Sequence, residues 1–124
     1  MNLSTSKTLR QFRTLQARRH ALLRRLLSPA ELAVGTVSWV DRKCGRPGCH
    51  CAEGPGHRQM QFLFADPEGC RRCKLVRKAD EARLELANER YRAFREDLRE
   101  LATIQNRERA LLMEWMRKKG LTYE

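Results

Sequence analysis

The chain has 124 residues, 41% of them hydrophobic and 33% charged, with a formal net charge of +11. A chain this short forms one modest domain and buries a smaller fraction of its surface than a large one, so a structural metal would help it fold. No apolar run approaches the ~18–20 residues of a membrane span, and no membrane partner is expected.

The charge is uneven. Residues 1–28 carry seven bases (Lys7, Arg10, Arg13, Arg18, Arg19, Arg24 and Arg25) and no acid, whereas residues 78–124 are nearly balanced. The acid-free start with some Ser and Thr is reminiscent of a transit peptide, but its leucine pattern continues into what reads as folded structure. A cytoplasmic, reducing setting is therefore expected, and the odd count of five cysteines argues against a pure disulfide framework. A basic arm attracts polyanions, and the phosphate backbone is the most abundant of these.

Leu9, Phe12, Leu15, Leu22, Leu23, Leu26 and Leu27 recur at helical spacing and predict a helix over about residues 6–27. Arg19 interrupts its apolar stripe. Ser28-Pro29-Ala30-Glu31 has the order of a capping box and predicts a short turn of helix ending before Gly35. Residues 35–77 then turn rich in Gly, Pro and Cys. Thr36–Asp41 and Gln59–Ala65 alternate as strands, with Met60, Phe62 and Phe64 on one face, and Asp66-Pro67-Glu68-Gly69 is turn chemistry. Arg72–Arg77 is a candidate returning strand. A sheet of two or three strands is marginal by itself and needs a metal or a packed helix.

From about Ala79 to Lys119 there is neither proline nor glycine. Leu84, Ala87, Tyr91, Phe94, Leu98, Leu101, Leu112 and Trp115 follow one heptad seam, with polar Gln105 and Glu108 in the gap, and Gly120 is a stop signal. A helix this long must pack on something. The polar gap suggests that the intramolecular contact ends near residue 105, leaving Leu111, Trp115 and Met116 for a protein partner or a second copy of the chain.

Six side chains are candidate metal ligands. Cys44 and Cys49 flank Gly45, Pro47 and Gly48, which let the chain turn so that both sulfurs face one ion, and Cys51 follows two residues later. His57 is a plausible fourth ligand. Cys70 and Cys73, at the spacing of a zinc half-site, are the alternates. Flanking Arg71, Arg72 and Lys74 would favour thiolate there, which suits metal binding and redox switching alike. No glycine-rich phosphate loop, nucleophile elbow or HExxH helix is present, and His57 is followed by Arg58-Gln59 rather than the glutamate a zinc deaminase needs. The chain therefore reads as a non-enzyme with no small-molecule substrate.

The run Cys44-Gly45-Arg46-Pro47-Gly48-Cys49-His50-Cys51, with Gly35-Thr36-Val37 before it and Gly54, His57 and Tyr91-Arg92-Ala93-Phe94 after it, resembles a family of short bacterial proteins known only as a domain of unknown function. Its members are often encoded beside transposases. The resemblance covers roughly residues 8–104 and implies Cys44, Cys49, Cys51 and His57 as the metal set. The chain departs from the family pattern at Arg58-Gln59-Met60-Gln61 and in possessing Cys70 and Cys73.

The resulting expectation is an α+β, mostly α protein. Two long helices form a hairpin or coiled coil flanking a small zinc-stabilised β-hairpin module, in three segments (1–27, 28–77 and 78–124) of one structural unit. One structural Zn2+ holds the module. Nucleic acid, DNA favoured, lies along Arg10, Arg13, Arg18, Arg24 and Arg25, with Arg46, Arg71, Arg72 and Lys74 extending the basic track. An interaction adaptor using the long helix, or a thiol switch at Cys70 and Cys73, are the alternatives.

Overall fold

A computed structural model describes residues 3–54 and 56–124. Helix α1 spans Leu3–Leu26, strands β1, β2 and β3 span Thr36–Arg42, His57–Ala65 and Arg71–Leu75, and helix α2 spans Glu81–Lys119. The three strands form one antiparallel sheet in the order β1-β2-β3. The chain divides into two compact units: Ala30–Ala93, and the described residues up to Pro29 together with Phe94–Glu124.

In the sheet unit, Trp39 pairs with Met60 and Phe62 with Lys74, so Val37, Trp39, Met60, Phe62 and Phe64 share one face. Met60 on that face is 0% exposed, and Phe62 stacks on Phe64 with ring centroids 5.2 Å apart. The first turns of α2 and the segment 31–35 are tied together. The Ala33 N–H donates to the Ala87 carbonyl at 3.0 Å. The buried Asn88 amide donates to the carbonyls of Ala33 (3.0 Å) and Gly35 (2.9 Å). Arg83 grips Glu31 through two hydrogen bonds of 2.7 and 2.8 Å, which hold the Glu31 carboxyl below the usual carboxylate range. Gly35 is required by a close approach: a Cβ there would lie 2.2 Å from the Leu63 carbonyl oxygen.

The turn between β2 and β3 is organised by Asp66. Its carboxylate accepts from the N–H groups of Glu68 (3.1 Å) and Cys70 (2.9 Å) and from Arg72 Nε (2.9 Å). This is the side-chain mimic of a backbone turn that Asp provides.

In the helical unit, α1 and the later part of α2 exchange side-chain bonds in antiparallel order. Arg25 meets Asp97 at 2.9 Å, Arg18 meets Glu100 at 3.2 Å, Arg19 meets Glu108 at 2.9 Å, and Lys118 donates to the Thr8 hydroxyl at 2.7 Å. Thr8, Leu22, Ile104, Glu108 and Leu111 are buried.

Four expectations need correction. The two helices are not a hairpin flanking the module: residues 81–93 of α2 belong to the sheet's own unit, because Arg83, Ala87 and Asn88 are committed to segment 31–35. The module is a three-stranded sheet rather than a β-hairpin. Residues 28–34 form no helix. Their polar and backbone groups bond to α2 instead of closing a helical turn. The intramolecular contact of α2 does not stop near residue 105 but continues to Lys118. The buried stripe runs through Ala87, Ile104, Glu108 and Leu111, while the expected seam residues Leu98 and Leu112 are 45% and 53% exposed.

Candidate metal centre

The loop between β1 and β2 brings Cys44, Cys49, Cys51 and His57 together. Their ligand atoms all lie within 4.8 Å of one another. Cys44 Sγ is 3.4 Å from Cys51 Sγ, and Cys49 Sγ is 3.4 Å from His57 Nε2. A tetrahedral ion with Zn–S of about 2.3 Å and Zn–N of about 2.0–2.1 Å sets its ligand atoms roughly 3.6–3.8 Å apart. With these separations between 3.4 and 4.8 Å, the four side chains are close enough to converge on one tetrahedral ion.

Each of the four side chains is positioned by local structure. A one-turn 3-10 helix, His50–Ala52, buries Cys51 at the centre of the loop. The Cys44 N–H donates to Cys51 Sγ at 3.4 Å, which folds the start of the loop over its end. His57 is the first residue of β2, paired with Arg42 at the end of β1. Gly56 delivers the chain to that pairing at φ +92°, where a Cβ would meet the Arg42 carbonyl carbon at 2.7 Å. The His50 ring stands edge-on to the His57 ring, with centroids 5.5 Å apart, and is not one of the four.

The thiols differ in acidity. Cys44 is pulled down to about 6, first by the Arg46 backbone N–H and then by the Cys51 side chain. Cys51 receives the Cys44 N–H, which favours thiolate, but burial and the adjoining thiols outweigh it and raise its pKa. Ligand thiols must be deprotonated to bind a metal, so binding an ion here releases protons.

Cys70 and Cys73 are not part of the group among the described residues. Cys73 pairs with Leu63, six residues along β2 from His57, or about 20 Å at ~3.3 Å per residue. Its thiol donates to the Gln61 side-chain oxygen at 3.4 Å. Arg71 and Arg72, between the two cysteines, lie in extended β3. That conformation separates the Cα atoms of residues 70 and 73 by about 10 Å, beyond the ~7 Å limit for a disulfide. The thiol switch expected at this pair thus lacks the geometry for an internal disulfide.

The basic residues are sorted by their partners. Arg18, Arg25 and Arg72 are engaged by Glu100, Asp97 and Asp66. Among the described residues Arg10, Arg13, Arg24, Arg46, Arg71 and Lys74 form no ion pair and are exposed. Of the residues expected at a partner interface, Leu111 is buried within the chain, Trp115 is half-buried under the Lys119 ammonium 5.6 Å from its ring, and Met116 is exposed. Sequence reasoning missed Arg42, Lys43 and Gln59 beside the cluster. The period-two alternation from His57 marks Gln59 as sharing its face of β2.

Comparison with protein-family models, with curated proteins and with solved structures found no match to this chain.

Proposed function

We propose that the protein is a non-enzymatic zinc-binding accessory protein whose helix α1 lies along the phosphates of a nucleic acid. The observation that carries the zinc reading is the Cys44–Cys49–Cys51–His57 cage. Three thiolates and an imidazole are a typical structural zinc set, and four protein ligands leave no open position for substrate. The ion's role is to stabilise the sheet unit.

The nucleic-acid reading rests on α1. At about 100° per residue, Arg10, Arg13 and Arg24 fall within roughly 60° of one another, opposite buried Thr8 and Leu22. Ala17 and Ala21 lie between them, so the cations stand proud along about 21 Å of helix. The resemblance to a family often encoded beside transposases makes DNA the favoured polyanion and a mobile element the favoured setting.

Fluorescence anisotropy with a DNA duplex across a salt series tests this. Binding that weakens with salt, with a slope reduced by about 2.7 when Arg10, Arg13 and Arg24 are all changed to alanine, is expected. A slope unchanged in that variant would remove α1 from the interface. Exposed Leu98, Leu112 and Met116 lie on one face of α2 and favour a second reading, a protein partner or second copy on that face. Native mass spectrometry giving a dimer that Leu112→Asp dissociates would support it.

A further inference from the structure

Strand β3 is an edge strand, because the order β1-β2-β3 gives it a neighbour on one side only. The bonds at its two ends set its hydrogen-bonding phase. The Asp66 N–H donates to the Cys70 carbonyl and the Val76 N–H to the Met60 carbonyl, both at 2.9 Å. In an antiparallel pair every second residue makes such bonds with its neighbour. Arg72 and Lys74 therefore direct their N–H and C=O groups at β2, while Arg71, Cys73 and Leu75 direct theirs at the open edge. All five residues of β3 are exposed, and no backbone bond reaches the outward groups among the described residues.

Beside this edge lies a cleft of about 690 Å3, with Lys74 and Leu75 of β3 in its wall. Phe62, Phe64, Leu84, Leu32 and Val34 supply apolar lining, and the last two are 37% and 59% exposed. The surroundings are cationic. Arg71 and Lys74 of β3, and Arg77 just beyond it, are exposed and form no ion pair among the described residues. Both acids that line the cleft act on Arg83, Glu31 through two hydrogen bonds and Asp80 through its charge. The charge on β3 discriminates among occupants. Two copies of β3 paired antiparallel about Cys73 would set Arg72 across from Lys74, and like charges directly opposite destabilise a strand pair. A nucleic-acid strand is drawn by the charge but has no alternating N–H and C=O groups to offer the edge. An extended peptide has them, and acidic residues in it answer the cations.

We propose that the open edge of β3 is a docking site for an extended acidic peptide, which adds a fourth strand to the sheet. The peptide backbone bonds to Arg71, Cys73 and Leu75. Alternate apolar side chains enter the cleft beside Phe62 and Phe64, and its acids lie near Arg71, Lys74 and Arg77. Every residue of the site belongs to the sheet unit, so the proposal does not rest on the nucleic-acid reading of α1.

The test titrates the 15N-labelled full chain with the peptide Asp-Leu-Glu-Val-Asp-Leu-Glu, against heptaglutamate, Lys-Leu-Lys-Val-Lys-Leu-Lys and a short oligothymidylate. Fluorescence anisotropy should show the acidic peptide binding at least tenfold tighter than either control peptide. With saturating peptide, amide hydrogen exchange read by NMR should slow at least tenfold at Arg71, Cys73 and Leu75. Exchange at Arg72 and Lys74, already bonded to β2, should change little, an alternation that charge attraction alone would not produce. Arg71→Glu with Lys74→Glu, both at exposed positions, should weaken the acidic peptide tenfold or more and leave the melting temperature unchanged. Leu32→Ser with Val34→Ser should remove its preference over heptaglutamate. Equal binding of heptaglutamate, or unchanged exchange at the three outward amides, would overturn strand addition and leave a charged surface only. Protection of those amides by oligothymidylate but not by the acidic peptide would give the edge to nucleic acid and overturn the proposal. An acidic peptide that fails to bind at millimolar concentration would overturn it as well.

Discussion

Replacing Arg19 by methionine strands Glu108. The two side chains meet at 2.9 Å, with Glu108 9% and Arg19 32% exposed. Glu108 faces the interior of the helical unit alongside Ile104 and Leu111, so without its cation the carboxylate is a buried, uncompensated charge. Removing one partner of a fully buried pair costs about 3–5 kcal/mol. The third of Arg19 that water reaches discounts this to about 2–3 kcal/mol. The reverse change, Glu108→Leu, is milder, about 1 kcal/mol, because a guanidinium on a flexible stem can reach solvent. The double variant, Arg19→Met with Glu108→Leu, is expected to recover to within about 1 kcal/mol of the parent, since an apolar pair of similar volume replaces a desolvated one. The assay is thermal denaturation, with urea titration for the free energies, followed by Trp115 fluorescence in a Trp39→Phe background, so that only the helical unit reports. At roughly 4 °C per kcal/mol for a chain of this size, the Arg19 variant should melt about 8–12 °C lower. A double variant as unstable as the sum of the singles would refute the argument, because it would mean that the side chains act by separate packing and not as a pair.

Cys44→Ser, Cys51→Ser and His57→Ala should each lower the metal content measured by native mass spectrometry, whereas Cys70→Ser and Cys73→Ser should retain one ion per chain. A chelator should unfold the sheet unit, read by Trp39, before the helical unit, read by Trp115. Asn88→Ala should destabilise the sheet unit by about 2 kcal/mol, since two carbonyls lose their donor, and should speed hydrogen exchange at the Ala33 amide. Asp66 is held below the usual carboxylate range by Arg72, then by the Cys70 and Glu68 N–H groups. Its folded-state pKa is depressed, so its stabilisation is complete above about 3.9 and is lost as pH falls through the folded value. The stability gap between the parent and Asp66→Asn should therefore close in acid, and a gap independent of pH would exclude an ionic role.

The sequence by itself determined the local elements. Helical spacing of leucines marked α1, period-two alternation marked β1 and β2, the Asp66–Gly69 turn placed β3, and Gly120 ended α2. These features depend on residues a few positions apart, and their physics is local. It also narrowed the metal ligands to six, of which the spacing alone could not choose four. Tertiary structure gathers Cys44, Cys49, Cys51 and His57 into one cluster that could hold an ion and leaves Cys73 outside it, because strand register sets Cys73 beside Leu63 and about 20 Å from His57. It also turned two apparent flaws into one interaction: Arg19 breaks the stripe of α1 and Glu108 breaks the seam of α2, and each is the other's partner across 89 residues of chain. Likewise the capping-box order at Ser28–Glu31 starts no helix: Glu31 pairs with Arg83 instead, and Ala33 and Gly35 just beyond it are held by Asn88. In each case the deciding partner is distant in sequence, so neither local propensity nor periodicity carried a signal of it.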